Sequence, residues 1–429
     1  MNAVLLQSIA IIDTLLVAPL GETSLAAMGL AIGLAGLMLG TLFAFSNATQ
    51  LIAAQAEGAG SKTALSNAWR AGLAINIVLA AGGVALVVLG GAPLVHWLAP
   101  TDAVAVQALA YLRWFLPVFA GVAVCQHVTV MLYATGRSRL PFYANLVELP
   151  VNAAASAALV HGIGPLPALG LIGAAIGSAI AVGLRAALLL AARRHLRLAY
   201  PVNGSAPLAA TRAALPAHVR HAVPIAGTFV SATLATNVCI LAYARLGVSQ
   251  FAALTLILPW VKAGSQLVSA WAQATGILVG QLLGRGAESL LDAFVSRAWR
   301  IAMGIGTAVM VAYLALSLSF GYLYSNLDAA TVEALASLAP LLLALPWMRT
   351  SNTICGNVLR AGGQAAWSLK VHAGTQWLFT VPVTLLFVLV LDLSVAWVFA
   401  VTVADEFVKA IPFHRGMASG RWKRRLVNG

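Results

Sequence analysis

Long apolar runs alternate with short polar joints along the whole chain. Twelve such runs are drawn at about 1–20, 25–55, 65–92, 105–134, 141–162, 168–193, 219–245, 250–281, 292–323, 331–359, 366–390 and 393–415. The joints, among them EGAGSK, GRSRLP, HGIGPLPA and RAGGQ, are rich in turn-forming Gly, Pro and Ser. A bilayer core takes roughly 20 apolar residues per helix, and only structures that satisfy their own backbone survive there. The pattern therefore predicts an all-α membrane protein of twelve transmembrane helices.

Composition agrees and charge adds orientation. Of 429 residues, 61% are hydrophobic and 9% charged, against about a quarter charged in soluble domains. That balance excludes a water-soluble, disordered, collagen-like or disulfide-scaffold chain. The net charge of +13 would suggest nucleic acid in a soluble protein. With both termini cytoplasmic, however, nearly all Lys and Arg fall on the inner side, from Lys62 and Arg70 to Arg421, Lys423, Arg424 and Arg425. Only Arg245 falls outside, while Glu22, Asp102, Asp328 and Asp392 sit at outer ends. This is the positive-inside rule for an even number of spans in the cytoplasmic membrane, and no nucleic-acid partner is expected. Cys125, Cys239 and Cys355 each lie inside an apolar run with no metal-ligand spacing, and read as small buried hydrophobes. The first run has no basic region before it, so no cleavable signal peptide is expected.

The two halves repeat each other. LGETSLAA (20–27) matches LGVSQFAA (246–253), and Gln55, Gly58 and Gly60 match Gln281, Gly284 and Gly286, all 226 positions apart. AWR (68–70) matches AWR (298–300) after an insertion, and LYATG (132–136) matches LRAGG (359–363) at 227. Parallel repeats of this kind are typical of alternating-access transporters. The predicted organisation is an N-lobe at 1–194, a cytoplasmic linker at 195–218, a C-lobe at 219–416 and a basic tail at 417–429.

Several motifs taken in order resemble the multidrug and toxic compound extrusion (MATE) family. They are IIDTLLVAPLGETSLAAMGL (11–30), AAQAEGAG (53–60), YLRWFLP (111–117), LYATGRSR (132–139), LGLIGAAIGSAI (169–180), VGQLLGRG (279–286) and the tail RGMASGRW (415–422), which resembles the DinF-like branch. The resemblance implies twelve helices in two lobes forming a V, and efflux of organic solutes driven by inward Na⁺ or H⁺ without a cofactor. The family's acidic positions in helices 7 and 10 align with Ala232 and Arg349, so its usual C-lobe cation site is not expected. The proline that opens helix 1 in the family is missing. Only 20 residues precede Gly21, whereas the repeat partner begins near Pro224; a mis-assigned start or shortened gene is the expectation.

A charge at mid-bilayer costs from about 3 kcal/mol upward, so intramembrane ionisable residues are functional candidates. Asp13 comes first, about two turns from the outer end of helix 1 and at the place where the family keeps its N-lobe acid. Asn145, Glu148, Asn152 and Ser156 recur at helical spacing on one face of helix 5, where Pro150 frees a carbonyl. Asn152 lies at the depth of Asp13, and Ser178 of helix 6 completes a predicted ion-coupling set of Asp13, Glu148, Asn152 and Ser178, with Asp13 and Asn152 as ligands if the ion is Na⁺. Asn47 and Gln50 share a face of helix 2. In the C-lobe, Lys262 lies about twelve residues into helix 8 and Arg349 about as deep in helix 10; with Gln266 and Asn352 on the same polar stripes, and with Asn47, Gln50 and Asn145, they form the predicted substrate cavity. Two buried cations there would favour anionic or zwitterionic solutes. Asp405 with Lys409 reads as a structural i,i+4 pair near the inner surface. Gly29, Gly33, Gly36 and Gly40, like Gly173 with Gly177, read as close helix contacts.

The function these features predict is a monomeric secondary antiporter that exports a small organic solute, with H⁺ favoured over Na⁺. A flippase for lipid-linked precursors is the alternative within transport. A membrane-embedded enzyme lacks any ligand cluster or nucleophile–base pair to support it, and an inactive relic is the remaining reading.

Overall fold

The computed structural model describes residues 9, 12–164, 166–195, 208–243, 245–323 and 328–425. Helical residues 12–17 form the described part of α1. Then follow α2 (Glu22–Gly58), α3 (Lys62–Leu98), α4 (Asp102–Ala134), α5 (Arg139–His161) and α6 (Leu171–His195). The second series is α7 (Leu208–Tyr243), α8 (Val248–Arg285), α9 (Glu288–Leu323), α10 (Ala329–Ala361), α11 (Ala365–Val390) and α12 (Val395–Ala418). The described residues contain no strand. Among the described residues, nine of these helices are long and apolar enough to cross a membrane. The all-α, twelve-helix architecture is that expected from the apolar runs, with residues 1–8, 10 and 11 of helix 1 outside the described residues. Cys125, Cys239 and Cys355 are buried and free.

The chain divides into two compact units: residues 1–53 with 61–222, and residues 54–60 with 223–429. Two expectations change here. The stretch at 195–218 is not all linker, because α7 is helical from Leu208. Ala, Leu and Arg are strong helix formers, and they carry the helix through Pro216 and Pro224. The remaining linker residues 196–207 lie outside the described residues. The 54–60 end of α2 groups with the second unit, where Gln55 Nε2 donates to the Ala361 carbonyl at 2.7 Å.

Inside the second unit the repeat is visible as a reciprocal contact. A Cβ on Gly58 would collide with the backbone of Gln281, and a Cβ on Gly284 with the carbonyl of Gln55. Glycine at both places lets backbone meet backbone. By contrast, a Cβ added at Gly29, Gly33, Gly36 or Gly40 would meet nothing within 4 Å. The predicted close packing at that stripe is therefore absent among the described residues. Gly173 and Gly177 do pack: a Cβ at either would strike Leu159 or Ser156 on α5.

The described part of the basic tail packs back on its own unit. Trp422 is 2% exposed, its indole donating to Met417 O at 3.1 Å, and Lys423 Nζ pairs with Asp292 at 2.6 Å.

Candidate functional site

In the first unit, the close approach of Gly177 to Ser156 brings α5 and α6 together one residue from Ser178. Asn152 Nδ2 donates to Ser178 Oγ at 3.1 Å, and Ser178 Oγ donates to Asp13 Oδ2 at 3.1 Å. The chain of donors ends on a carboxylate that is 4% exposed. At 1.5 Å per residue, Asp13 and Ser178 each lie about 10 Å along their helices from Leu20 and Leu171, and Asn152 about 14 Å from His161. Three helices thus deliver polar groups to one level. Ser156 and Asn152 both lie near enough to act on the Asp13 carboxyl, and Asp13 in turn on the buried Tyr111. Asp13 Oδ1, Asn152 Oδ1 and Ser156 Oγ are buried without a hydrogen-bond partner. Unpaired buried oxygens are costly, and this group can accept a proton or a small cation.

Glu148 is not part of that group. Its Oε2 accepts from Arg185 Nη1 at 3.2 Å, and Arg185 Nη2 donates to Thr129 Oγ1 at 3.4 Å. Both ends of the pair are buried, with side chains 2% and 6% exposed. Helix 5 does put Glu148 on the face of Asn152, but one turn deeper, where α6 presents a guanidinium rather than Ser178. Asn145 is buried with Oδ1 unpartnered, and Gln50 is buried with Nε2 unpartnered. Asn47 is half-buried. Ser46 of the same helix exchanges hydrogen bonds with Asn76 at 2.9 and 3.2 Å, as packing.

The second unit corrects the charge reading of the C-lobe. Arg349 Nε pairs with Glu406 Oε1 at 3.0 Å, and its Nη1 donates to Ser265 at 3.2 Å. Asn352 Nδ2 donates to both the carbonyl and Oε2 of Glu406, at 2.6 and 3.0 Å. Lys409 Nζ lies 3.6 Å from Glu406 and also contacts Asp405. Two cations meet two carboxylates, so Arg349 is neutralised rather than left to attract anions. Lys262 is exposed within its unit and Gln266 half-buried. The i,i+4 pair Asp405–Lys409 is itself buried, both side chains being under a tenth exposed. Glu406 was missed by sequence reasoning. The signal was a depth count: it lies eleven positions after Val395, about 17 Å into α12.

Among the described residues no group of three or more His, Cys, Asp or Glu side chains is arranged to hold a metal ion.

The sequence model of the family described as MatE matches residues 1–157 and 224–386. The chain is 23% identical over 434 residues to an uncharacterized transporter, YisQ, of Bacillus subtilis (strain 168), covering 96% of this chain and 90% of that protein. It is 29% identical over 317 residues to the probable multidrug resistance protein NorM of Deinococcus radiodurans, covering 73% of this chain and 67% of that one. In fold it is similar to the eukaryotic MATE transporter AtDTX14, with a TM-score of 0.86 at 18% identity, covering 99% and 94% of the two chains. A MATE crystal structure in the bent conformation superposes with a TM-score of 0.85 at 18% identity, covering 98% and 92%.

Proposed function

The chain belongs to the MatE family, whose members are transporters and not enzymes, and from that premise we propose that it exports organic solutes from the cytoplasm by ion-driven antiport. Asp13 is the coupling carboxylate, with Asn152 and Ser178 as its hydrogen-bonding shell, and H⁺ is the ion. The carrying observation is the buried Asn152–Ser178–Asp13 relay with oxygens of Asp13, Asn152 and Ser156 left unpartnered beside it. A proton on the free Asp13 oxygen makes a neutral acid that needs no further ligand in a low-dielectric site. Glu148 serves through its Arg185 pair, holding α5 to α6 beneath the coupling group. The protein works as a single chain in the cytoplasmic membrane with both termini inside, an orientation supported by the one-sided distribution of Lys and Arg. The two units alternate access while Asp13 gains and loses its proton. The multidrug resistance named for relatives such as NorM supports a small organic cargo.

Everted vesicles carrying the protein and a fluorescent organic dye test this reading. An imposed pH gradient is expected to drive dye accumulation that Asp13→Asn abolishes. Accumulation driven by a Na⁺ gradient alone would reassign the ion to Na⁺, and no gradient-driven accumulation at all would reject the proposal.

A further inference from the structure

The tail and the first turns of α9 border a cavity that the transport reading leaves unused. It measures about 340 Å³, and its wall is largely Val295, Trp299, Ile354, Met417 and Trp422. Among its lining residues Asp292 is the only carboxylate, and none is a Lys or Arg. A concave, apolar and aromatic wall with few polar groups is the usual make-up of a small-molecule site, and the volume falls in that range.

Hydrogen bonds fix the two indoles. Trp299 Nε1 donates to Ser351 Oγ at 3.1 Å, and the same hydroxyl lies 3.0 Å from His414 Nε2. Trp422 Nε1 donates to Met417 O at 3.1 Å. The walls are thus set before any ligand arrives, which lowers the cost of binding. At the edge, the Lys423 ammonium shows what the cavity accepts. Its Nζ lies 2.6 Å from Asp292 Oδ2 and 5.7 Å from the centre of the Trp422 ring. A carboxylate beside an indole face suits an organic ammonium. The Asp292 side chain is 73% exposed and that of Lys423 26%, so the pair is solvated, adds little stability and can exchange.

We propose that this cavity binds a small aromatic primary amine, its ammonium on Asp292 in place of Lys423 and its ring against Trp299, Met417 and Trp422. Asp292 and Trp299 lie two turns apart on one face of α9, about 10 Å along the helix, so a ring joined to the amine by a four-carbon chain reaches both. Lys423, with a stem of the same length, is the built-in competitor. The site lies in the second unit and shares no residue with the Asp13 group, so it does not rest on the reading of the chain as an exporter.

The test is a binding measurement without transport. 4-Phenylbutylamine is titrated by calorimetry into the full-length protein in phosphatidylcholine nanodiscs, with empty nanodiscs as the blank. Saturable binding is expected, at least tenfold weaker in Asp292→Asn and severalfold weaker in Trp299→Leu. Lys423→Gln is the deciding variant: it removes the competing ammonium and should bind the amine severalfold more tightly. All three side chains are partly exposed, so the variants should keep a melting temperature near that of wild type. 4-Phenylbutanol, which lacks the charge, should bind at least tenfold more weakly than the amine. Adding phosphatidylethanolamine to the nanodiscs should change the affinity less than twofold. No saturable binding, equal binding of the alcohol, or unchanged or weaker binding in Lys423→Gln would overturn the site. A tenfold loss in phosphatidylethanolamine would also overturn it, by giving the cavity to a lipid headgroup.

Discussion

The Arg349 guanidinium on α10 and the Glu406 carboxylate on α12 stand 3.0 Å apart, so the buried positive charge at 349 carries its own counter-ion. Removing one member of a buried pair leaves the other in oil, at a cost of about 3–5 kcal/mol. Glu406→Gln strands Arg349, while Lys409 keeps its pair with Asp405, and should lower thermal stability in detergent by that order. The double variant Arg349→Met, Glu406→Gln removes one charge of each sign and should recover most of the loss. A melting series of the single and double variants measures this; equal stability of Glu406→Gln and wild type would refute the pairing. An Arg349→Asp change sets a third carboxylate beside Glu406 and should unfold the unit rather than broaden its cargo.

Asp13→Asn keeps the shape of the side chain and can still take the hydrogen bond that Ser178 donates to Oδ2. Insertion and melting temperature should therefore stay near wild type while gradient-driven dye accumulation in everted vesicles disappears. Retained accumulation would remove Asp13 from the coupling role. A Ser178→Ala change deletes only the donor between Asn152 and Asp13, so transport should persist with its pH profile displaced.

Much of this was legible in the residues, for reasons that differ by element. A bilayer tolerates few alternatives to a helix of fixed length, so the apolar runs translate almost directly into α2–α12. Asp13 and Asn152 were readable because depth follows from 1.5 Å per residue and a polar group in oil demands partners. Glu406 was not read as a partner of Arg349, since nothing along a chain separation of 57 positions says that α12 lies on α10. Pairing of Glu148 with Arg185 failed for the same reason: the face of α5 was computable, but the neighbour facing it was not. The start of α7 at Leu208 was hidden by Pro-containing composition that also suits a linker. Small-residue spacing proved ambiguous too, identical in kind at Gly29–Gly40 and Gly173–Gly177 yet packed only at the second.

The Glu148–Arg185 pair separates a supporting role from a coupling one. Glu148→Gln alone should destabilise by about 3–5 kcal/mol, because it leaves a buried arginine whose Nε already has no partner. Combining it with Arg185→Met should restore much of the stability. If Glu148 only braces α5 against α6, the double variant transports dye with the same ion dependence as wild type. A stable double variant that no longer couples transport to the ion gradient would place Glu148 in the coupling set after all.

Glycine positions give a test of the backbone contacts in which each change is a single methyl group. A Cβ at Gly58 or Gly284 strikes the backbone of Gln281 or Gln55, and backbone cannot rotate away as a long side chain would. Gly58→Ala and Gly284→Ala should each lower stability by about 1–3 kcal/mol or more, the usual cost of overpacking. The two should be alike, because the contacts are related by the repeat. They share neighbours, so the double variant should cost less than the sum. Gly29→Ala meets nothing within 4 Å and removes a flexible residue from the interior of α2, so it should gain roughly 0.5–1 kcal/mol. Opposite signs at Gly58 and Gly29 in one melting series would confirm the contact geometry; a neutral Gly58→Ala would mean that the ends of α2 and α8 do not touch there.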